Sequence, residues 1–131
     1  MNSIDRLNEI NENVVIFLSL VAKFRGRRQF RERFVNFTME YNLENDGCEI
    51  YLDQFDGSRS SITKVKNNDL GARNSVKPKI NKRQAKEINE GTKYFMGRIR
   101  EAQKDRNIEA IMLQHNIMRG VTTIFIAHIP D

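Results

Sequence analysis

The residues with the clearest chemistry are five arginines that lie within nine positions of each other. They are Arg25, Arg27, Arg28, Arg31 and Arg33. A guanidinium group can donate two parallel hydrogen bonds to a phosphate and can stack on an exposed base. The segment therefore favours contact with nucleic acid. The alternative is a solvated helix end whose arginines pair with Glu40, Glu44 or Glu49.

A second basic segment follows between residues 59 and 86, where nine basic side chains accompany a single acid, Asp69. Basic side chains among Ser, Asn and Gly can follow a phosphate backbone without reading bases. The members that we predict to contact nucleic acid are Lys64, Lys66, Arg73, Lys77, Lys79, Lys82, Arg83 and Lys86. A solubilising loop is the alternative. The apolar residues of 66–82 are few and irregularly spaced, so we predict a mobile basic arm there that becomes ordered on a partner.

The charges of the whole chain are sorted into blocks. Residues 23–33 carry six bases and one acid, residues 34–58 carry six acids and no base, and residues 59–86 carry nine bases and one acid. The net charge of +5 therefore conceals two cationic segments on either side of an anionic one. Such separation favours binding of polyanions, and it also permits self-association between opposite patches.

The carboxylates of Glu40, Glu49 and Asp53 fall on adjacent predicted strands, near a lysine-rich segment, as a two-metal nuclease would require. The acid-x-Lys ending of restriction-like sites is absent after Asp53. Exposed strand acids that oppose aggregation explain these residues more simply. A metal-dependent nuclease is the only enzymatic function that we consider, and it requires Mg²⁺-dependent cleavage that Asp53→Asn abolishes. We assign no catalytic residue and no metal ligand.

Other reactive side chains give no pattern of a small-molecule site. His115 and His128 are predicted core residues, since no second Cys or His lies at ligand spacing. The single Cys48 is predicted to be an inert strand residue, and the lack of an intramolecular disulfide predicts an intracellular, cytoplasmic location. No glycine-rich phosphate loop or nucleophile elbow occurs, so we predict no cofactor and no small-molecule substrate. The apolar run 14–22 is about half the ~20 residues of a membrane-spanning helix, which indicates a core element and no membrane association.

The first half of the chain predicts a helix followed by a hairpin. Ser3 can cap a helix whose apolar residues recur at three-to-four spacing, with a stop near Gly26. Residues 34–43 alternate apolar and polar side chains, which predicts a strand with one buried and one wet face. The Asp46-Gly47 turn and the alternating residues from Cys48 to Asp53 predict its hairpin partner. A short third strand is predicted over Ser60–Lys66, with Ile62 inward.

The second half predicts two helices and a strand. Asn81 caps a helix with a regular apolar seam, in which Gly91 and Gly97 either permit a close backbone contact or mark a break. The next helix places Ile108, Ile111, Met112, His115 and Met118 on one face and ends at Gly120. The run Val121–Ile129 is apolar on both alternations, which predicts a central strand covered on two sides.

These observations predict a single α+β domain over residues 1–131, with an N-terminal helix, an antiparallel hairpin or meander, a basic loop, two helices and a final strand that completes the sheet. The predicted function is that of a non-enzymatic accessory or regulatory protein that binds the DNA or RNA backbone. The alternative is a protein-interaction or assembly subunit, for instance a phage or viral component, that oligomerises through complementary charged patches. We also predict a homo-oligomer, with the face of Phe95, Ile99, Met112 and Met118 as a candidate interface. The alternative for this face is ordinary packing of both helices on the sheet.

Overall fold

The described part of the chain forms three helices and five strands. The computed structural model describes residues 3–44, 47–61 and 80–130. The helices are α1 (Ser3–Phe24), α2 (Arg28–Arg33) and α3 (Lys82–Asp105). The strands are β1 (Phe34–Asn42), β2 (Gly47–Gln54), β3 (Arg59–Ser61), β4 (Ile108–Asn116) and β5 (Val121–His128). This arrangement confirms the predicted α+β class.

All five strands form one antiparallel sheet in the order β3-β2-β1-β4-β5. The predicted hairpin of β1 and β2 lies inside it, with Met39 opposite Ile50 and Tyr41 opposite Cys48. The predicted third strand is present as β3, which pairs with β2. Ile62, its predicted inward residue, lies outside the described residues, as does Asp46 of the hairpin turn.

The two faces of the sheet differ in what covers them. Helices α1 and α3 pack on one face, here called the inner face, and neither covers the other, here called the outer face. Because side chains alternate along a strand, odd-numbered residues of β1 and β4 point inward and even-numbered ones point outward. The buried inner-face residues include Phe37, Met39, Tyr41, Ile50, Leu52, Ile111, Leu113 and His115.

Helix α1 supplies a large part of this core. Val14, Phe17, Leu20 and Val21 are buried, which confirms that the apolar run 14–22 is a core element. Side chains at every third or fourth position face one side of a helix. The apolar residues of α1 follow this spacing, so they form one buried stripe along the helix. None of the described helices is long and apolar enough to cross a membrane.

Helix α3 runs antiparallel to α1 and touches it closely at Gly91. A Cβ atom at this position would lie 3.0 Å from a Leu18 side-chain carbon. The prediction of a close contact at a glycine is therefore confirmed at Gly91. At Gly97 a Cβ atom would meet nothing within 4 Å, and the helix continues through both glycines without a break.

The helix predicted from Ile108 to Gly120 is instead strand β4 and the turn after it, so that prediction is wrong in its element type. Ile111 and His115 share a face at helical spacing, but they also share one at strand spacing because four is an even number. The burial of Leu113, between them, shows that the period is two. Met118 is 82% exposed in the turn that ends at Gly120, whose φ of 69° suits glycine.

The final strand also differs from the prediction. Of the described strands only β4 pairs with β5, which therefore forms one edge of the sheet and is not a central strand covered on both sides. Ile124 and Ile126 are half-buried on its inner face, whereas Val121 and Phe125 are exposed on its outer face. The uniformly apolar sequence of β5 is therefore left partly in contact with solvent.

Candidate nucleic-acid interface

The five predicted arginines lie where α1 ends and α2 follows. Backbone hydrogen bonds from Arg25 N–H to the Val21 carbonyl (2.8 Å) and from Arg27 N–H to the Phe24 carbonyl (3.0 Å) form the turn after α1. Helix α2 then leads directly into β1. All five arginine side chains are exposed, so a large ligand can reach them.

Aromatic rings support two of these arginines. The Arg27 guanidinium lies 5.0 Å from the centre of the Phe24 ring, and that of Arg33 lies 5.4 Å from the centre of the Phe34 ring. A cation over a ring gains about 0.5–1 kcal/mol at an exposed site. The stacking limits the orientations of the guanidinium while its N–H groups stay available to an anion.

The other described bases of the predicted site lie in the first turns of α3. The Asn81 side chain accepts a hydrogen bond from Gln84 N–H (2.8 Å), and the Gln84 side chain accepts one from Asn81 N–H (3.0 Å), which confirms the predicted cap. Lys82, Arg83 and Lys86 follow with exposed side chains, and no acid lies in the first turn. A helix dipole favours acids at this end. These bases therefore do not stabilise the helix, and they add to its positive potential.

A shared carboxylate joins the two basic segments. Arg25 Nη2 lies 2.5 Å from Glu87 Oε2, and Arg83 Nε lies 3.7 Å from Glu87 Oε1. Beside this pair, Gln84 Nε2 donates a hydrogen bond to the Ala22 carbonyl (3.2 Å). The antiparallel packing of α1 and α3 thus brings the end of one helix to the start of the other.

We call residues 23–33 and 82–87 together the basic end. They include nine basic residues and two acids, Glu32 and Glu87, for a net charge of +7. Glu32 pairs with Arg28 at 2.8 Å, within the same turn. Among the described residues no carboxylate lies within ion-pair distance of Arg27, Arg31, Arg33, Lys82 or Lys86.

The rest of the predicted set is not covered by the structure. Lys64, Lys66, Arg73, Lys77 and Lys79 lie outside the described residues, as does most of the arm predicted over 66–82. Its last residue, Lys82, begins α3. Sequence reasoning missed Lys23 and Glu87 as parts of the basic end, although the four-residue spacing of Arg83 and Glu87 is a recognisable ion-pair signal.

The acids predicted for the wet face of the hairpin do lie together on the outer face. Arg59 of β3 binds two of them, through Nη1 to Glu40 (2.8 Å) and through Nε to Asp53 (2.7 Å). Its guanidinium also lies 4.5 Å from the centre of the Tyr51 ring. The alternative in which Glu40 pairs with an arginine of the 25–33 cluster is therefore wrong.

Tyr51 and Asp53 each take part in further hydrogen bonds of this outer-face network. Tyr51 donates to Glu49 (2.5 Å), and this bond raises the pKa of Tyr51 to about 12. The Thr38 hydroxyl donates to Asp53 (2.7 Å). Within the described ranges no three or more His, Cys, Asp or Glu side chains are grouped as a metal site would require.

The remaining reactive side chains are buried or bound by the fold. His115 Nδ1 lies 2.8 Å from the Thr122 hydroxyl, and His128 Nδ1 lies 3.3 Å from the Arg106 carbonyl. Burial is the main cause that raises the pKa of the Cys48 thiol to about 12. A thiol with that pKa is a poor nucleophile near neutral pH.

No protein-family model, no curated protein and no solved structure matches this chain.

Proposed function

We propose that this protein binds nucleic acid through the phosphate backbone, by means of the basic end, as a non-enzymatic accessory or regulatory factor. The observation that carries the proposal is the shared carboxylate: Arg25 and Arg83 are far apart in sequence and both pair with Glu87. Two cationic segments at one place produce a local potential that neither produces alone.

The composition of the basic end supports contact with phosphates in particular. Within the described ranges Arg27 and Arg33 lie against aromatic rings and pair with no carboxylate, so their N–H groups can donate to an anion. Lys82 and Arg83 occupy a helix terminus where bases oppose the dipole. A bound phosphate would relieve that repulsion.

The charge of the basic end sets the expected salt dependence. Its net charge of +7 allows contact with about seven phosphates, and duplex DNA loses about 0.9 log units of affinity per phosphate for each tenfold rise in salt. A rise from about 50 to about 200 mM salt should then weaken binding by roughly three to four orders of magnitude.

Fluorescence anisotropy with labelled duplex DNA, single-stranded DNA and RNA tests the proposal at these two salt concentrations. Arg31→Gln should weaken binding several-fold and reduce the salt slope by about 0.9. The matched control is Arg100→Gln, an exposed arginine of α3 that lies about 20 Å along the helix from Lys86. The control should leave affinity and slope unchanged.

Three results would contradict the proposal. They are a lack of binding to all three nucleic acids at the lower salt concentration, binding that does not depend on salt, and equal effects of the Arg31 and Arg100 substitutions. The last result would indicate a general attraction of the whole positive surface rather than a site at the basic end.

The assembly subunit with complementary charged patches is the second candidate. The contacts of Arg59 weigh against it, because this residue already pairs with Glu40 and Asp53 within the chain. Measuring the mass in solution at low and high salt, without nucleic acid, separates the two. An oligomer that dissociates as the salt concentration rises would favour assembly through charges.

A further inference from the structure

Among the described residues no strand pairs with β5 on the side away from β4, so β5 forms one edge of the described sheet. It has eight residues, whereas β3, at the other edge, has three and begins with Arg59. Proteins protect exposed edges with charges, prolines, bulges or short strands. Between residues 121 and 129 the sequence has no charged residue, proline or glycine. Apart from the register shift between Ile108 and Ala110 of β4, opposite the last residues of β5, this edge therefore carries none of the usual devices against pairing with another strand.

The directions of the backbone groups identify which residues would form such a pair. Ile117 N–H donates to the Val35 carbonyl (3.0 Å), so odd-numbered residues of β4 bond with β1 and even-numbered ones face β5. Met112 lies opposite Phe125 in the β4–β5 register, so odd-numbered residues of β5 bond with β4. The backbone groups that point to the free edge belong to Thr122, Ile124, Ile126 and His128.

We propose that two copies of this chain pair antiparallel through β5, about a two-fold axis at Phe125, to form one continuous sheet of ten strands. This register uses all four edge-facing residues of each copy. Thr122 lies opposite His128 of the other copy, and Ile124 lies opposite Ile126 of the other copy. Each such pair exchanges two backbone hydrogen bonds, about eight in all. The proposal concerns a surface other than the basic end and does not depend on nucleic-acid binding.

The side chains of β5 complement their own two-fold copy. On the outer face Phe125 meets Phe125 of the second copy, and Val121 meets Ile129 of the second copy. All three are exposed in the single chain, Phe125 to 47%. Directly opposed apolar and aromatic pairs stabilise a sheet by about 0.2–1 kcal/mol each. No register pair brings two charged side chains together.

Grooves on both sides of β5 provide room for the second copy. On the outer face, Met112, Phe125 and Ala127 line a groove of about 340 Å³ that is mostly apolar. On the inner face, a groove of about 350 Å³ separates α3 from β5 and is lined by Ile124, Ile126 and charged residues of α3. A second β5 strand would place its own apolar side chains beside both grooves.

The charges that line the inner groove also suit a two-fold copy. They are Arg98, Glu101 and Asp105, on the side of α3 that faces β5. A two-fold axis reverses the helix direction, so that Arg98 of one copy lies toward Asp105 of the other. Arg98 and Asp105 then face opposite charges across the axis, whereas Glu101, which lies between them, faces its own copy and is paired with Lys104 of its own chain at 3.5 Å.

Sedimentation equilibrium at about 100 μM protein and high salt, without nucleic acid, tests the proposal. The expected mass is twice the 15.4 kDa of the chain. Phe125→Lys places two ammonium groups next to each other at the axis and should raise the dimer dissociation constant at least about tenfold. Phe55→Lys is the matched control, because Phe55 is 59% exposed near the opposite edge of the sheet. A mixture of Phe125→Lys and Phe125→Glu chains should form dimers again.

A cysteine variant tests the register without a charge at the axis. Directly opposed residues of an antiparallel pair have Cβ atoms about 4.5–5.5 Å apart, so Phe125→Cys should form an interchain disulfide on mild oxidation. Thr123→Cys should not, because Thr123 lies opposite Ala127 of the second copy. A monomeric mass at about 100 μM, a dimer that Phe125→Lys leaves intact, or equal cross-linking of the two cysteine variants would overturn the proposal.

Discussion

Lowering the pH from about 7 to 4 should destabilise this protein through one buried imidazole. His115 is 2% exposed, between the Phe37 ring, whose centre is 6.4 Å away, and the Thr122 hydroxyl, 2.8 Å from Nδ1. Its Nε2 is buried and has no hydrogen-bond partner among the described residues. Burial, assisted by the positive charge of Arg25, lowers the pKa of His115 from 6.5 to about 4.

The size of the effect follows from the two pKa values. The unfolded chain takes up the proton near pH 6.5 and the folded chain only near pH 4. The free energy of unfolding is therefore highest above pH 6.5, falls as the pH decreases toward 4, and loses nothing more from this residue below that. Each pH unit between the two values is worth ~1.4 kcal/mol, so the loss amounts to about 3 kcal/mol. A typical domain has only about 5–15 kcal/mol of stability.

Urea denaturation at several pH values from about 7.5 to 4 measures this loss. His115→Leu removes the titrating group, and its stability relative to the wild type should improve by about 3 kcal/mol over that range. His128→Gln, which removes the other histidine, is the matched variant for comparison. A constant difference between wild type and His115→Leu at all pH values would refute the reasoning.

Three further predictions concern single positions. Gly97→Ala should raise the free energy of unfolding by about 1 kcal/mol, because its new methyl group meets open space. Gly91→Ala should raise it less, because its methyl group would press on Leu18. Equal increases in the free energy of unfolding, measured by chemical denaturation, would contradict this contact. Asn81→Ala removes the cap of α3 and should lower the free energy of unfolding by about 1 kcal/mol. The control Asn89→Ala, at an exposed position inside the helix, should not lower it, because Ala is the better helix former, so equal losses would argue against the cap. The thiol of Cys48, with a pKa raised to about 12, should react with a disulfide reagent near pH 8 much faster in urea than in the folded protein, and similar rates would refute its burial.

The sequence predicted the type of an element best where the spacing of its apolar residues fitted a strand and not a helix. In β1 the alternation from Phe37 to Tyr41 has no helical equivalent, and the strand is present as predicted. In β4 the buried residues Ile108, Ile111 and His115 are three and four positions apart, which also fits one face of a helix. The pairing of β4 with β1 and β5 decides the outcome, because both neighbours present backbone groups and side chains in strand register. Such partners are set by tertiary structure, which no local period encodes.

The candidate site shows the same division between local and long-range information. The clusters of basic residues were evident from the sequence, and so was the Asn81 cap that begins α3. Their meeting at Glu87 depends on the antiparallel packing of two helices, which Gly91 permits by its close approach to Leu18. The edge position of β5 follows from the order of the described strands, which its own sequence does not encode. A sequence that would suit a buried strand therefore lies at an edge of the sheet.

The basic end lies near one end of the strands, and this position sets the length of nucleic acid that a β5-paired dimer should prefer. The register puts Asn36 level with Asn116 and Asn116 level with Val121, so Arg33, just before β1, lies about seven residues, or roughly 23 Å, along the strands from an axis at Phe125. Because β1 is two strands away from β5, it also lies roughly 12 Å to the side of that axis. The two-fold axis turns the second basic end toward the opposite end of the sheet. The pair becomes a bivalent ligand whose two contact points are roughly 50 Å apart, about fifteen base pairs of duplex. Affinity should then rise abruptly once a duplex is long enough to reach both, since the second contact is intramolecular.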